Sequence, residues 1–144
     1  MAVKRKKIVL IVDNNRDIRS YLRHLLQSSF DEYDLELFTE ASSDTALKTI
    51  KEKNGAIDLV FTNIERPGID GYTFIHAVKQ KYPHISIIIC SGSARRGDLE
   101  EMSQDNLIVG YIRKPIKDQV FISQVRSIFD AQNLVRIGFE KRDG

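Results

Sequence analysis

Five short apolar runs, each closed by polar or turn-forming residues and each followed by a segment of helical periodicity, most narrow the folds open to this chain. The runs are Ile8 to Val12, Leu35 to Phe38, Ile57 to Thr62, Ile85 to Cys90 and Val109 to Arg113. The first and fourth are apolar at nearly every position, which reads as strand covered on both faces rather than on one. Between the runs, Ile18, Leu22, Leu25 and Leu26 recur at helical spacing as far as Ser28, and Ala46, Leu47 and Ile50 share one helical face. Phe74, Ile75 and Val78 mark a third helix that Pro83 closes; Ala94 to Gln104, with Leu99 and Met102, is a fourth. Val120, Phe121, Val125, Ile128 and Phe129 line the last. Short polar residues stand where caps belong, Asp13-Asn14-Asn15 before the first helix and Ser42-Ser43-Asp44 before the second, with Gly55 just past the second's end. Strand and helix in strict alternation imply right-handed crossovers and a parallel sheet with helices on both faces. The expected architecture is α/β, doubly wound, with five strands in the order 2-1-3-4-5.

At 144 residues the chain can bury one continuous core without metal or disulfide staples. We expect one domain over residues 1–131 and a short tail over 132–144, where Leu134, Val135, Ile137 and Phe139 prolong the last helix, pack back on the domain or meet a partner. Apolar residues make up 42% and charged residues 29%, and no apolar run approaches the roughly 20 residues a transmembrane helix needs. The start is basic, but the apolar stretch behind it is too short for a secretory signal. With a single cysteine as well, the expectation is a cytoplasmic protein that does not engage a membrane. Cys90, among Ile87, Ile88 and Ile89, reads as a small core residue. A net charge of +2 is too small to argue for nucleic acid, and the basic cluster Lys4 to Lys7 reads as a solvated terminus. His24, His76 and His84 lack the spacing of a metal site.

In open parallel sheets ligands bind outside the carboxyl ends of the strands. Four of those ends deliver polar groups here: Asp13 and Asn14 after the first strand, Asn63 after the third, Ser91 after the fourth and Lys114 after the fifth. Four segments then carry a family resemblance: Ile11-Val12-Asp13-Asn14; Asn63-Ile64-Glu65-Arg66-Pro67-Gly68-Ile69-Asp70-Gly71; Ser91-Gly92; and Gly110-Tyr111-Ile112-Arg113-Lys114-Pro115. In order and spacing they resemble the receiver domains of two-component response regulators, over roughly residues 6 to 131. That likeness implies a flavodoxin-like fold and a phosphorelay role. It implies an acid pair and an acceptor Asp that hold a divalent cation, a hydroxyl and a Lys that bind the new phosphate, and a switching aromatic on the fifth strand.

Carried over residue by residue, the acceptor position is Asn63, the second member of the acid pair is Asn14, and the aromatic is Tyr111. Both departures turn a carboxylate into an amide, leaving Asp13 and Lys114 with charges that cancel. Each missing carboxylate removes on the order of several kcal/mol of gross attraction for a hard dication. No cofactor is therefore expected, and magnesium binds weakly if at all, through Asp13, Asn14 and, as a candidate carboxylate, Glu65. The family uses the backbone carbonyl at the Glu65 position. Ser91 and Lys114 either serve another anion or support the fold.

The reading that follows is a stand-alone, phosphorylation-deficient receiver, a pseudo-receiver without catalytic residues of its own, that works through protein–protein contact. Its partners are signalling proteins: a histidine kinase, a phosphotransfer protein or a downstream target. The surface implied is helix four, strand five and helix five, with Tyr111, Arg95, Arg96 and Arg113 as candidates and a homodimer as a further expectation. Tyr111 reads equally as a packing residue, and Arg95 and Arg96 as a solvated face. The alternative is a conventional magnesium-dependent phosphoacceptor in which Asn14 and Asn63 are introduced replacements of Asp. A flavin or other small-molecule carrier on the same scaffold would need a phosphate-cradling loop, yet Asp13-Asn14-Asn15-Arg16 has no Gly and begins with an anion.

Overall fold

The computed structural model describes residues 3–64 and 70–143, with side chains as far as residue 135. Ten elements alternate: β1 (Arg5–Val12), α1 (Arg16–Ser29), β2 (Tyr33–Glu40), α2 (Ser43–Glu52), β3 (Leu59–Thr62), α3 (Gly71–Lys81), β4 (Ser86–Ser91), α4 (Arg96–Gln104), β5 (Gly110–Arg113) and α5 (Asp118–Asp143). The strands form one parallel sheet in the expected order β2-β1-β3-β4-β5. None of the described helices is long and apolar enough to cross a membrane.

Strand alternation sends side chains to two separate cores. Val9, Ile11, Leu59, Phe61, Ile88 and Ile112 meet α1 and α5, through Leu22, Leu26, Phe121, Val125 and Phe129. Leu10, Val12, Val60, Ile87 and Ile89 meet α2, α3 and α4, through Ala46, Ile50, Phe74, Ile75, Val78 and Met102. Phe61 stacks on Phe121 at 4.9 Å, and Phe30 meets Phe129 edge-on at 5.5 Å. Each such fully buried ring contributes about 1.5–3 kcal/mol of transfer free energy. Cys90 is 2% exposed, and burial pushes its thiol pKa up to about 12, so it is a core residue.

Several boundaries differ from the apolar runs, each for a local reason. β2 extends over Tyr33–Glu40, beyond Leu35 to Phe38, because an edge strand leaves every side chain partly exposed and tolerates polar ends. β3 begins at Leu59 rather than Ile57: the Asp58 carboxylate accepts from the Ile8 N–H at 2.7 Å, so a side chain takes the place of a ladder carbonyl. Helix caps follow chemistry. Asn15, Ser42 and Asp70 each accept a backbone N–H three residues on, whereas Arg95 offers α4 no side-chain cap, and α4 is short, starting at Arg96.

The basic start is not simply solvated, which corrects the expectation for Lys7. Arg5, Lys6 and Lys7 lie in β1, and Lys7 is 5% exposed. Its Nζ donates to Gln132 Oε1 at 3.0 Å and sits 5.2 Å from the Phe129 ring centroid and 5.9 Å from that of Tyr33. Gln132 in turn donates to the Asp58 carbonyl at 2.9 Å and to Ser86 Oγ at 3.2 Å. Asn133 donates to the Tyr33 hydroxyl at 3.0 Å. α5 therefore crosses residue 131 without a break and is tied to the amino-terminal edge of the sheet. Leu134 and Val135 beyond the tie are 69% and 74% exposed. Ile137 and Phe139 fall outside the residues whose side chains are described.

Candidate functional site

The carboxyl edge of the sheet is where parallel strands end together, and the chain changes there from apolar to polar at each exit. Asp13 follows β1 and is 2% exposed; Asn63 follows β3 at 5%; Ser91 closes β4 with no exposure; Lys114 follows β5 and is half-buried. Asn14 is exposed at the rim. The expected residues are thus brought to one edge. Glu65, the third candidate cation ligand, and residues 66–69 lie outside the described residues.

Asp13 organises the group. Its Oδ2 accepts from Lys114 Nζ at 2.8 Å, its Oδ1 accepts from the Asn15 N–H at 2.8 Å, and its backbone carbonyl accepts from Arg19 Nη1 at 2.6 Å. Both carboxylate oxygens and the peptide oxygen are thus engaged, with the Asp13 side chain 3% exposed and that of Lys114 23%. A charge pair this far out of water holds its geometry because separating it would leave a desolvated carboxylate. The amide of Asn63 points Nδ2 at Asn14 Oδ1, 3.5 Å away, which is the outer limit of a hydrogen bond.

Backbone packing under Asn63 is tight. A Cβ on Gly71, the first residue of α3, would come within 2.5 Å of the Ile64 Cα and 2.8 Å of the Asn63 carbonyl oxygen. Only glycine lets the start of α3 lie against this strand exit. Across the sheet, the Ser91 carbonyl accepts two donors, the Lys114 N–H at 3.1 Å and the Tyr111 hydroxyl at 2.9 Å. Ser91 Oγ accepts from the Ser93 N–H at 3.2 Å. Tyr111 is half-buried against the core shared by α2, α3 and α4, and its own carbonyl accepts from Gln124 Nε2 on α5 at 2.9 Å. Arg95, Arg96 and Arg113 are exposed, Arg96 pairing with Glu100 at 3.0 Å.

Sequence reasoning missed Arg19 and Gln124. Arg19 lies six residues past Asp13 on α1 and its partner there is a backbone carbonyl, so the residue pattern held no signal for it. Gln124 carried none, because an amide on a helix reads as solvated until the facing strand is known. Among the described residues, no group of three or more His, Cys, Asp or Glu side chains is placed to hold a metal ion.

Residues 9–126 match the family model described as the response regulator receiver domain. The chain is 27% identical to the hydrogenase transcriptional regulatory protein HoxA of Cupriavidus necator over 88% of its own length and 25% of that protein's. It is 34% identical to a protein-glutamate methylesterase/protein-glutamine glutaminase of Bradyrhizobium diazoefficiens, over 65% of this chain and 24% of that one. This chain therefore spans about a quarter of the length of these relatives. Among solved structures it is similar to the signal receiver domain of an HD domain-containing protein from Pseudomonas fluorescens, with a TM-score of 0.76 and 25% identity over 90% of this chain and 98% of that one. It shares its fold with the receiver domain of a LuxO repressor protein from Vibrio parahaemolyticus, with a TM-score of 0.78 and 17% identity over 92% of this chain and 96% of that one. A five-stranded parallel sheet in this order, a polar strand-end edge and a family match over most of the length agree: the chain belongs to the response regulator receiver domain family, a signalling module of two-component systems.

Proposed function

We propose that this receiver domain signals through protein contact, from a pocket that does not accept a phosphoryl group at Asn63. The observation that carries the reading is the amide at the exit of β3, facing a second amide 3.5 Å away. A carboxylate attacks phosphorus through an anionic oxygen, whereas a carboxamide has no such nucleophile. Asp13, whose side chain is 3% exposed, is already paired with Lys114, so the two charges cancel. Magnesium demands near-octahedral oxygen ligands and favours anionic ones. Among the described residues, one engaged carboxylate and two amides do not fit that ion.

What remains of the family's apparatus is mechanical. The Ser91 carbonyl binds both the Lys114 N–H at the pocket and the Tyr111 hydroxyl, and Gln124 fastens the Tyr111 backbone to α5. The face made by α4, β5 and α5 is thereby connected to the strand-end edge without phosphate. Val109 and Val120 on it are 54% and 44% exposed, which suits a partner among signalling proteins or a second copy of the chain.

Intact-mass measurement after incubation with magnesium and acetyl phosphate tests this. The chain as it stands is expected to gain nothing, and the double variant Asn14→Asp/Asn63→Asp to gain one phosphoryl group. A base-labile phosphoryl adduct on the unaltered chain would overturn the reading.

A further inference from the structure

Away from the strand-end pocket, α1 and the outer end of β2 enclose a cavity of about 160 Å³ lined by Arg16, Arg19, Ser20, Arg23 and Thr39. The topology explains how one strand residue joins this helix. Thr39 pairs with Ile11, whose side chain lies in the core beneath α1, so Thr39 points to the α1 side. Glu40, one residue on, points to the other face and accepts from Thr49 Oγ1 on α2 at 3.2 Å. The lining thus holds three guanidinium groups and two hydroxyls, with no carboxylate.

The three arginines are not there to satisfy one another or a neighbouring acid. Among the described residues, the side chains of Arg16 and Arg23 make no hydrogen bond or ion pair, while Arg19 donates to the Asp13 carbonyl at 2.6 Å. Arg16 and Arg19 stand in the first turn of α1, where the helix dipole is positive and cations are disfavoured. At spacings of three and four residues on one helix, like charges repel. The arrangement is unfavourable when bare and is relieved by an anion. Guanidinium forks match phosphoryl oxygens two at a time, and the hydroxyls of Ser20 and Thr39 supply further donors. The cavity is smaller than the roughly 300 Å³ at which pockets enclose a drug-sized ligand, and its size suits one anionic head group with the rest of a ligand outside.

We propose that the groove between α1 and β2 binds a phosphoryl dianion, either inorganic phosphate or the phosphate monoester of a small molecule. Because Arg19 also holds the Asp13 peptide, a ligand that draws on Arg19 acts on the residue that positions Lys114. The site is independent of whether Asn63 accepts phosphate.

Nuclear magnetic resonance titration of the full chain tests it, using inorganic phosphate, AMP, and sodium chloride at matched ionic strength. Expected are saturable shifts of the Arg16, Arg19 and Arg23 Nε–H signals and the Thr39 amide, followed by the Asp13 amide, with chloride inert. Tighter binding of AMP assigns the monoester as ligand; equal binding assigns the bare anion. Arg23→Gln, at an exposed position, is expected to weaken affinity about tenfold, and Lys81→Gln to leave it unchanged. Shifts that chloride reproduces, that do not saturate, that centre on Lys114 and Ser91, or that survive Arg23→Gln would overturn the proposal.

Discussion

Lys7 and Lys114 stand at opposite edges of one parallel sheet, and the two edges treat their ammonium groups differently. At the amino-terminal edge, Lys7 is 5% exposed, bonded to the Gln132 amide and flanked by the rings of Tyr33 and Phe129. At the carboxyl edge, Lys114 faces a buried carboxylate 2.8 Å away with its side chain 23% exposed. Aromatic faces and an amide hold a charge by shape and quadrupole, contacts that depend on close packing. A carboxylate holds it by Coulomb attraction at a rim where water and ligands still arrive. The lower edge fastens a helix, and the upper one keeps a polar pocket in place.

Breaking the lower edge should cost most. Phe129→Ala removes a ring that meets Phe30, Tyr33 and Lys7, and a loss of about 3–5 kcal/mol is expected in urea denaturation. A loss near 1 kcal/mol would mean that the lower edge is loosely packed. At the upper edge, Asp13→Asn leaves Lys114 without its counter-charge and should cost about 1–3 kcal/mol. Adding Lys114→Met to that variant should recover part of it, and strict additivity in the four-way cycle would show the pair to be uncoupled. Lys7→Met keeps the packing but removes the donor to Gln132, for an expected loss of about 1 kcal/mol.

The smallest effect belongs to a surface pair that resembles neither edge. Arg126 donates to Glu32 at 2.6 Å, and that hydrogen bond, ahead of its other influences, holds the Glu32 carboxyl below its ordinary value. A depressed carboxyl stabilises the fold fully above the unfolded pKa of about 4.3, and the contribution is lost as pH falls through the lower folded value. Both side chains are nearly half exposed, at 46% and 45%, so screening limits the effect to about 0.5 kcal/mol. Stability measured from pH 7 down to 3 should show a slightly shallower acid limb in Glu32→Gln than in the unaltered chain.

The upper edge was legible in the sequence and the lower one was not, for a physical reason. Apolar runs that stop at Asp13, Asn63, Ser91 and Lys114 announce strand exits, and parallel topology gathers those exits without further information. Lys7 looks like part of a basic terminus and Gln132 like part of a mixed tail. Their meeting depends on how far α5 runs past the sheet, which local pattern does not encode. Asp58 hides in the same way, since its carboxylate substitutes for a backbone acceptor within an otherwise apolar run. Side-chain roles that depend on a distant backbone atom, such as Arg19 at the Asp13 carbonyl, emerge only with the fold.

The sole thiol of the chain lies 2% exposed among isoleucines with its pKa raised to about 12, which leaves the surface chemically blank to maleimides and other thiolate-seeking reagents at neutral pH. A cysteine introduced at Val109 or Leu134 would therefore take a dye or spin label at one known place, with no need to remove the native one. Distances from either of these positions to any docked protein become readable in the otherwise unaltered chain.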